Sequence, residues 1–462
     1  VKGAYQFRVT RNSELVMDEE EVENLAMALR DELAGRGYQR PIRLEIAADC
    51  PRPIVRTLLQ NFDLPDNAVY RIDGPVNLSR VVQVYDLVQE PDLKYPAFQP
   101  RQLPGSDAMF ELISHGDVLL HHPFDAFTPV LELVRQAAED PNVLAIKQTL
   151  YRTGKDSPLV EHLVQAARNG KDVTVVVELL ARFDEEANLG LAGRLQEAGV
   201  QVVYGVVGFK THAKMMLIVR REGRRLRRYV HIGTGNYHPG NARAYTDLGL
   251  MTAHPGIGSD MHQIFMQLSG LAPAIELNHL LQSPFSLHPG VLARIEREAA
   301  HALAGRPARI VAKMNALNEP QVIRALYAAS QAGVRIDLFV RGACTLRPQV
   351  PGVSENIRVF SIVGRFLEHH RVYWFGNDGR PELFGASADW LERNLLRRVE
   401  TAFPILDPAV SRRVHAEVLD NYLADNVDAW ELQPDGSYER RKPGDGEEPH
   451  SAQMWLLARL CG

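Results

Sequence analysis

Cysteine is rare in this chain of 462 residues, which contains only three, Cys50, Cys344 and Cys461. The three lie far apart and form neither a CxxC motif nor a zinc-ligand spacing. This scarcity favours a reducing compartment and argues against a disulfide framework or a thiolate metal site.

The chain also has no long hydrophobic run and no strong net charge. No run approaches the roughly 18–20 apolar residues that span a bilayer, so the sequence predicts no transmembrane segment. The first residues, "VKGAYQFRVTRNSEL", contain no signal-peptide core and no initial Met, so we expect upstream sequence to be missing. A net charge of −5 gives no general attraction to polyanions, so any phosphate site must be local.

The length and composition that remain are typical of a globular protein with several domains. The chain is 45% hydrophobic and 24% charged, and its length indicates two to four domains. The Pro-rich stretch "PDLKYPAFQPRQLPGS" is a candidate boundary near residue 100. Beyond it, β-rich apolar runs alternate with helical patterns, which predicts an α/β layer architecture.

The sequence pattern of the middle of the chain restarts after about residue 305. "LAIKQTLYR…SPLVEHLVQAARNGKDVTVVVEL" aligns with "IVAKMNAL…EPQVIRALYAASQAGVRIDLFVRG", and "VQVVYGVVGFKTHAKMMLIV" aligns with "IRVFSIVGRFLEHHRVYWFG". The alignment pairs Lys147 with Lys313, Gly170 with Gly333, His212 with His369, Lys214 with Arg371, and the turn 233–236 (GTGN) with 386–389 (ASAD). Five matches in register predict a duplicated fold.

The stretch "GFKTHAKMMLIVRR" carries the chemistry that the repeat would permit. In an extended strand, His212 and Lys214 share one face. A neutral imidazole is a good nucleophile toward phosphorus, and the lysine beside it can hold a phosphate oxygen. Asn236, on the Gly-rich turn, can donate to another oxygen, and His369 can protonate or position a leaving oxygen. The pattern indicates phosphoryl or phosphatidyl transfer through a phosphohistidine.

A run of six arginines follows the same strand, in "RREGRRLRR" from Arg220 to Arg228. It is compatible with a solvated hairpin. Because so many like charges repel one another unless an anion is near, it is equally compatible with a role in polyanion binding.

With these motifs in view, the chain resembles the phospholipase D superfamily and, more closely, the polyphosphate kinase family with two phospholipase-D-like C-terminal domains. The resemblance is carried by "LLHHPFDAFTPV", "KTHAKMMLI", "HIGTGNYHPGNARAYTDLGL", "FVRGACTLRP", "RFLEHHRVYWF" and "SADWLERNLLRRVE". It implies an α/β fold with two duplicated phospholipase-D-like α/β domains preceded by a partial α+β head domain. The implied boundaries are 1–102, 103–286 and 287–462, without the family's helical N-terminal domain and the rest of its head domain.

The resemblance also implies roles for individual residues. His212 becomes the phosphohistidine, with Lys214, Asn236 and His369 as its catalytic partners. The positions that it implies for ATP binding are Tyr245, Arg341 and His369. Lys147 and Lys313, the strand lysines that the repeat pairs, are further candidates for phosphate binding. Arg152 and Arg182 fall on magnesium-associated positions. A guanidinium has only donors and is cationic, so we interpret both as phosphate clamps beside the ion.

The function implied is reversible transfer of the ATP γ-phosphate to inorganic polyphosphate, with Mg²⁺ as cofactor and ATP as substrate. The implied partners are ATP or ADP and polyphosphate, without nucleic acid, in a homo-oligomer. The implied location is the cytoplasm, with peripheral membrane attachment left open. Two alternatives remain: a phosphodiesterase or nuclease of the wider superfamily, and a non-catalytic polyanion-binding relative. Val219 stands where the HxKx4D motif of the superfamily requires aspartate, which counts against the first alternative.

Overall fold

The protein was analysed as a computed structural model that describes residues 3–12, 26–27, 29–30, 33, 40–152, 157–181, 184–206 and 208–461. It divides into two compact units, Val1–Ala97 and Phe98–Gly462.

The first unit contains a small sheet and an amphipathic helix. Its strands pair in the order β1 (Phe7–Arg11), β2 (Pro41–Ala47) and β3 (Val69–Ile72). Among the described residues it includes the helices α1 (Arg52–Phe62) and α2 (Val82–Leu87). The alternation of buried Leu44 and Ile46 in β2 places both on one face of the sheet. Val55 and Leu59, four residues apart on α1, pack with them.

The second unit is built on two sheets. The eight-stranded sheet contains β4 (Val118–His122), β5 (Val143–Leu150), β6 (Asp172–Val177), β7 (Gln201–Val203), β9 (Lys214–Glu222), β10 (Arg225–Gly233), β11 (Tyr245–Thr252) and β16 (Leu367–Glu368). The ten-stranded sheet contains β8 (Lys210–Thr211), β12 (Leu281–Ser283), β13 (Arg309–Met314), β14 (Arg335–Val340), β15 (Ile357–Ile362), β17 (Arg371–Phe375), β18 (Glu382–Ala386), β19 (Arg398–Pro404), β20 (Ala429–Leu432) and β21 (Tyr438–Arg440). We call the parts built on these sheets the first lobe and the second lobe.

The two sheets share one strand order, which confirms the duplication predicted from the sequence. The first lobe reads β11-β10-β9-β5-β6-β7 and the second reads β19-β18-β17-β13-β14-β15. In both, a parallel trio is joined to an antiparallel trio. The predicted α/β fold class is therefore confirmed.

Helices cover the sheets. They are α3 (Met109–His115), α4 (Thr128–Glu139), α5 (Pro158–Arg168), α6 (Glu185–Glu197), α7 (Pro239–Ala244), α8 (Pro255–Leu268), α9 (Leu287–Leu303), α10 (Pro320–Gln331), α11 (Glu392–Leu396), α12 (Pro408–Val414), α13 (Asn421–Leu423) and α14 (Ala452–Leu460). In α5, Leu159 and Leu163 are buried one turn apart, because residues spaced by four share a face. Among the described helices, none combines the length and apolarity needed to cross a membrane.

Two very short strands cross between the lobes, and each leads directly into a predicted catalytic histidine. β8, which ends one residue before His212, pairs with β19 of the second lobe. β16, which ends one residue before His369, pairs with β11 of the first lobe. The crossovers therefore carry both histidines to the junction of the lobes.

An apolar core also joins the lobes. Leu217 and Val230 of the first lobe belong to the same buried cluster as Phe360 and Val372 of the second. Strand β9 is buried from Lys214 to Ile218, so both of its faces are covered there. The strand that follows His212 is thus fixed in the core.

Candidate active site

His212 is oriented by a carboxylate of the opposite lobe. Its Nδ1 atom lies 2.9 Å from each carboxylate oxygen of Glu400, and its backbone N–H donates to the carbonyl of Val399. The side chain is 12% exposed. Nδ1–H donation to the carboxylate leaves the lone pair on Nε2, for which the described residues provide no hydrogen-bond partner.

Glu400 is itself held in place by hydrogen bonds. Ser387 Oγ donates to it at 2.6 Å and Asn394 Nδ2 at 2.8 Å. Burial raises the pKa of Glu400 to about 7, against the opposing effects of Lys214 and Arg398. These hydrogen bonds hold the carboxylate of Glu400 in place, and the carboxylate in turn orients the imidazole of His212.

His369 has the reciprocal arrangement. Its Nδ1 atom lies 2.8 and 2.9 Å from the carboxylate oxygens of Asp247 in the first lobe, and Thr234 Oγ1 donates to the same carboxylate at 2.7 Å. Its Nε2 atom, unlike that of His212, lies 3.2 Å from Nη1 of Arg371. Because a guanidinium only donates, Nε2 of His369 is an acceptor here and its lone pair is engaged.

The pKa values of both histidines are lowered, which keeps them neutral. Burial, followed by the charges of Lys214, Arg398, Arg371 and His369, lowers the pKa of His212 well below 6.5. Burial is also the largest cause for His369, whose pKa is lowered although Asp247 opposes the change. Lys214 and Arg371 are among the charges that lower the pKa of both histidines, so the two imidazoles share one electrostatic environment.

Lys214 is a buried cation beside His212. It is 1% exposed, and its Nζ donates to the backbone carbonyl of His212. Burial, with Arg371 and Arg398 adding to it, lowers the pKa of Lys214 to about 7, although Glu400 and Asp247 oppose the shift. An anion entering the site would favour the charged form of this lysine.

Arg371, the counterpart of Lys214 in the repeat, is locked into a polar chain. Its Nε and Nη2 atoms donate to the two oxygens of Asp389 at 3.1 and 3.3 Å. Asp389 accepts from the backbone and side chain of Asn315, whose Oδ1 accepts from Arg341 at 2.9 and 3.1 Å. This series of hydrogen bonds connects the exposed Arg341 to the buried centre.

The other residues predicted to touch phosphate or nucleotide divide into two groups. Tyr245 lies beside the centre, with its ring centroid 5.2 Å from that of His369. The Oδ1 atom of Asn236 is buried without a hydrogen-bond partner among the described residues, and Asn236 lines a cavity of about 10 Å³ that Asp247 also lines. Tyr245 thus contacts His369, Asn236 lies near the carboxylate that orients His369, and Arg341 is linked to the centre through Asn315.

The two predicted lysines do not contact either histidine in the described part of the chain. Lys313 forms a buried ion pair with Glu368 at 2.7 Å and lies over the ring of Tyr422. Lys147 is 9% exposed and has no ion pair there; its charge acts on His262 of α8. Their use as phosphate ligands stays a prediction.

The magnesium-associated positions contain no ordinary metal ligands. Arg152 donates through Nε to Asp184 at 2.5 Å, and Arg182 lies outside the described residues. Among the described residues, no group of three or more His, Cys, Asp or Glu side chains could hold a metal ion. The described residues therefore offer no cluster of side chains that would hold a magnesium ion by themselves.

Sequence reasoning missed the two carboxylates, Glu400 and Asp247, and also missed Tyr151, whose ring centroid lies 4.8 Å from that of His212. A signal for the carboxylates exists. Asp247 and Glu400 are separated by the same number of residues as Gly233 and Ala386, so the repeat alignment places one on the other. An acid at equivalent positions of both copies could have indicated that both carboxylates belong to the site, although not which histidine each one contacts.

The fold and the site define a duplicated α/β protein in which each lobe contributes one histidine, oriented by a carboxylate of the other. Family profiles match over most of the chain: the polyphosphate kinase middle domain at residues 1–84, C-terminal domain 1 at 108–274 and C-terminal domain 2 at 280–453. The polyphosphate kinase of Burkholderia multivorans is 57% identical over all of this chain and 68% of its own length. The chain belongs to the polyphosphate kinase family.

A second relative and a solved structure support the same family assignment. The polyphosphate kinase of Xylella fastidiosa strain 9a5c is 73% identical over 460 residues, and this chain spans 66% of its length. A crystal structure of polyphosphate kinase from Porphyromonas gingivalis superposes with a TM-score of 0.83 at 33% identity, covering 99% of this chain and 67% of that one. The resemblance stated from the sequence is confirmed.

Proposed function

We propose that the protein transfers the γ-phosphoryl group of ATP to the end of an inorganic polyphosphate chain, reversibly, through a phosphohistidine at His212. Membership of the polyphosphate kinase family supports the substrates. We assign the nucleophile to His212 and not to His369 because the Nε2 atoms of the two imidazoles differ in their hydrogen bonds. Nε2 of His369 accepts from Arg371, whereas Nε2 of His212 has no partner among the described residues.

The proposed transfer has two displacement steps. The lone pair on Nε2 of His212 attacks the γ-phosphorus while the bond to the bridging β–γ oxygen breaks, and ADP leaves with that electron pair. A terminal oxygen of polyphosphate then attacks the same phosphorus, and the N–P bond breaks. Throughout, Nδ1 of His212 keeps its proton and donates it in a hydrogen bond to Glu400, whose carboxylate stabilises the charge that develops on the imidazole.

The surrounding cations would hold the phosphates. Lys214 and Arg341, with Asn236, would stabilise the charge that spreads over the transferring group. His369 would assist at the leaving or incoming oxygen, and Tyr245 would contact the nucleotide base. Burial of the centre would exclude water and protect the intermediate from hydrolysis.

Magnesium enters the proposal as part of the substrate. Because the described side chains offer no carboxylate cluster, the ion would arrive on the oxygens of ATP, where it screens their charge. Arg152 would clamp phosphate beside it, as would Arg182, which the structure does not describe. Lys147 and Lys313 would also bind phosphate, which for Lys313 requires that it exchange its ion pair with Glu368.

We also propose domains at 1–102, 103–286 and 287–462, a homo-oligomeric state and a cytoplasmic location. The repeated strand order supports the division between the second and third segments. Light scattering of the purified chain would measure the oligomeric state.

The test is direct labelling of the protein. Incubation with γ-labelled ATP and Mg²⁺ should give acid-labile, alkali-stable label, which is characteristic of phosphohistidine. His212→Ala should abolish it, and His162→Ala, a matched change on α5 away from the centre, should not. Equal labelling of wild type and His212→Ala would refute the proposed intermediate.

A further inference from the structure

The run of arginines noted in the sequence forms the tip of the hairpin between β9 and β10. The turn lies at Gly223 and Arg224, and Gly223 has a φ of 62°, which suits glycine. The run contains six arginines and one acid, Glu222, in a chain whose net charge is −5. The positive charge of this tip is therefore local and concentrated.

Two of the six arginines are occupied by neighbouring groups. Arg220 pairs with Asp140 at 2.7 Å and with Glu222 at 3.0 Å. Arg227 lies 3.5 Å from Glu222 and donates to the carbonyl of Ser114 at 3.1 Å. These contacts attach the base of the hairpin to the body of the first lobe.

Three others are presented to solvent. Arg221, Arg224 and Arg225 are exposed, and no ion pair joins any of them to an acid among the residues the structure describes. Exposed like charges so close together repel one another, and a bound anion would relieve that repulsion. Guanidinium groups present paired donors that match phosphate oxygens.

The tip lies at the far end of the strand that begins beside His212. Strand β9 runs from Lys214 to Glu222, and at about 3.3 Å per residue its ends are roughly 26 Å apart. A small nucleotide held at the histidines cannot reach the tip. A linear polymer of phosphates can reach both places at once.

We propose that Arg221, Arg224 and Arg225 form a second binding site for inorganic polyphosphate, which holds a distant part of a chain whose end lies at His212. The identity of this ligand rests on the proposed function. Once the chain end is bound, binding at the tip is intramolecular and benefits from a high effective concentration. The gain in affinity therefore requires polymers long enough to span the distance.

The test compares polyphosphates of different length on the whole protein. Fluorescence anisotropy of end-labelled short and long chains gives the Kd for wild type and for the triple variant Arg221→Ser, Arg224→Ser, Arg225→Ser. Loss of three exposed charge contacts should weaken long-chain binding roughly tenfold and reduce its salt dependence, and leave short-chain binding unchanged. The matched control removes three exposed arginines of the second lobe, Arg324→Ser, Arg380→Ser and Arg393→Ser.

The outcomes separate this inference from the proposed function. Equal long-chain affinity in wild type and triple variant, or an equal loss in the control, overturns the hairpin site even if His212 is labelled by ATP. A selective loss in the triple variant supports the site even if no label appears on His212. If the triple variant binds anionic phosphatidylserine vesicles more weakly than the wild type but binds polyphosphate equally well, the tip is a membrane contact and the proposal is wrong.

Discussion

Nδ1 of His212 lies 2.9 Å from both carboxylate oxygens of Glu400, which follows it by 188 residues and belongs to the other lobe. His369 and Asp247 repeat the relationship in the opposite direction at 2.8 and 2.9 Å. Each histidine therefore depends on a carboxylate that its own lobe does not supply. The short strand crossings before His212 and His369 explain how this exchange arises.

The first prediction concerns Glu400→Gln. An amide keeps the shape of the side chain but cannot stabilise a positive imidazole, and it can select the wrong tautomer. By analogy with the acid of a catalytic triad, the rate of His212 labelling by ATP should fall about 100-fold or more. Rapid-quench labelling at saturating ATP measures this rate.

Glu392→Gln on α11 is the matched control, since Glu392 is exposed and pairs only with Arg397 among the described residues. It should label at the wild-type rate. A Glu400→Gln variant that labels as fast as this control would contradict the orienting role of Glu400.

The second prediction concerns pH. Lys214, with a pKa of about 7, is charged below that pH and becomes neutral as the pH rises through it. Glu400, whose pKa is also about 7, gains its charge over the same range. The kcat/KM for polyphosphate, which reports ionisations of the free enzyme, should therefore pass through a maximum near pH 7, with an alkaline limb that follows the loss of the Lys214 charge. In Lys214→Arg the guanidinium stays charged, so the alkaline limb should move to higher pH even if the maximum rate is lower. An alkaline limb at the same pH in both proteins would contradict the assignment to Lys214.

The third prediction concerns the buried ion pair of Lys313 and Glu368. Their side chains are 3% and 4% exposed, and Glu368 also accepts from Thr246 Oγ1 and Tyr422 Oη at 3.0 Å. Lys313→Met leaves a buried carboxylate without its cation and should lower the free energy of unfolding by about 3–5 kcal/mol. Urea denaturation measures the change.

The double variant Lys313→Met, Glu368→Gln provides the comparison for that measurement. Because it removes both charges, it should recover part of the lost stability. If the double variant has a lower free energy of unfolding than Lys313→Met, by as much as Glu368→Gln alone lowers that of the wild type, the two residues do not act as a pair.

The sequence predicted the duplicated α/β fold and the two histidines because these features depend on local patterns. Apolar strands, helical periodicities and the repeated His motif can be aligned without coordinates. The repeat also placed Lys147 on Lys313. Identical positions did not give identical surroundings, because Glu368 pairs with Lys313 whereas the residue at the equivalent position before His212 is Thr211, which cannot neutralise Lys147.

The carboxylate partners could not be assigned from local patterns. Which acid meets which histidine depends on β8 pairing with β19 and β16 pairing with β11. Strand pairs of two residues carry almost no periodic signal, and the partners lie more than 100 residues apart. The pairing is a consequence of how the lobes pack, which the chain's linear pattern does not contain.

The last prediction concerns Gly235, in the turn that precedes Asn236. A Cβ atom at this position would lie 2.3 Å from Oδ2 of Asp247 and 2.7 Å from its Cβ. Gly235→Ala must therefore displace the carboxylate that orients His369 and disturb the hydrogen bond from Thr234. A misplacement of about 1 Å in such a centre can lower the rate 100-fold, so polyphosphate synthesis should fall by about that factor, while His212, oriented by Glu400, should still be labelled by ATP. Gly193→Ala on α6, where a Cβ meets open space, is the control and should retain full activity. Unchanged synthesis by Gly235→Ala would show that His369 does not need Asp247 in this position.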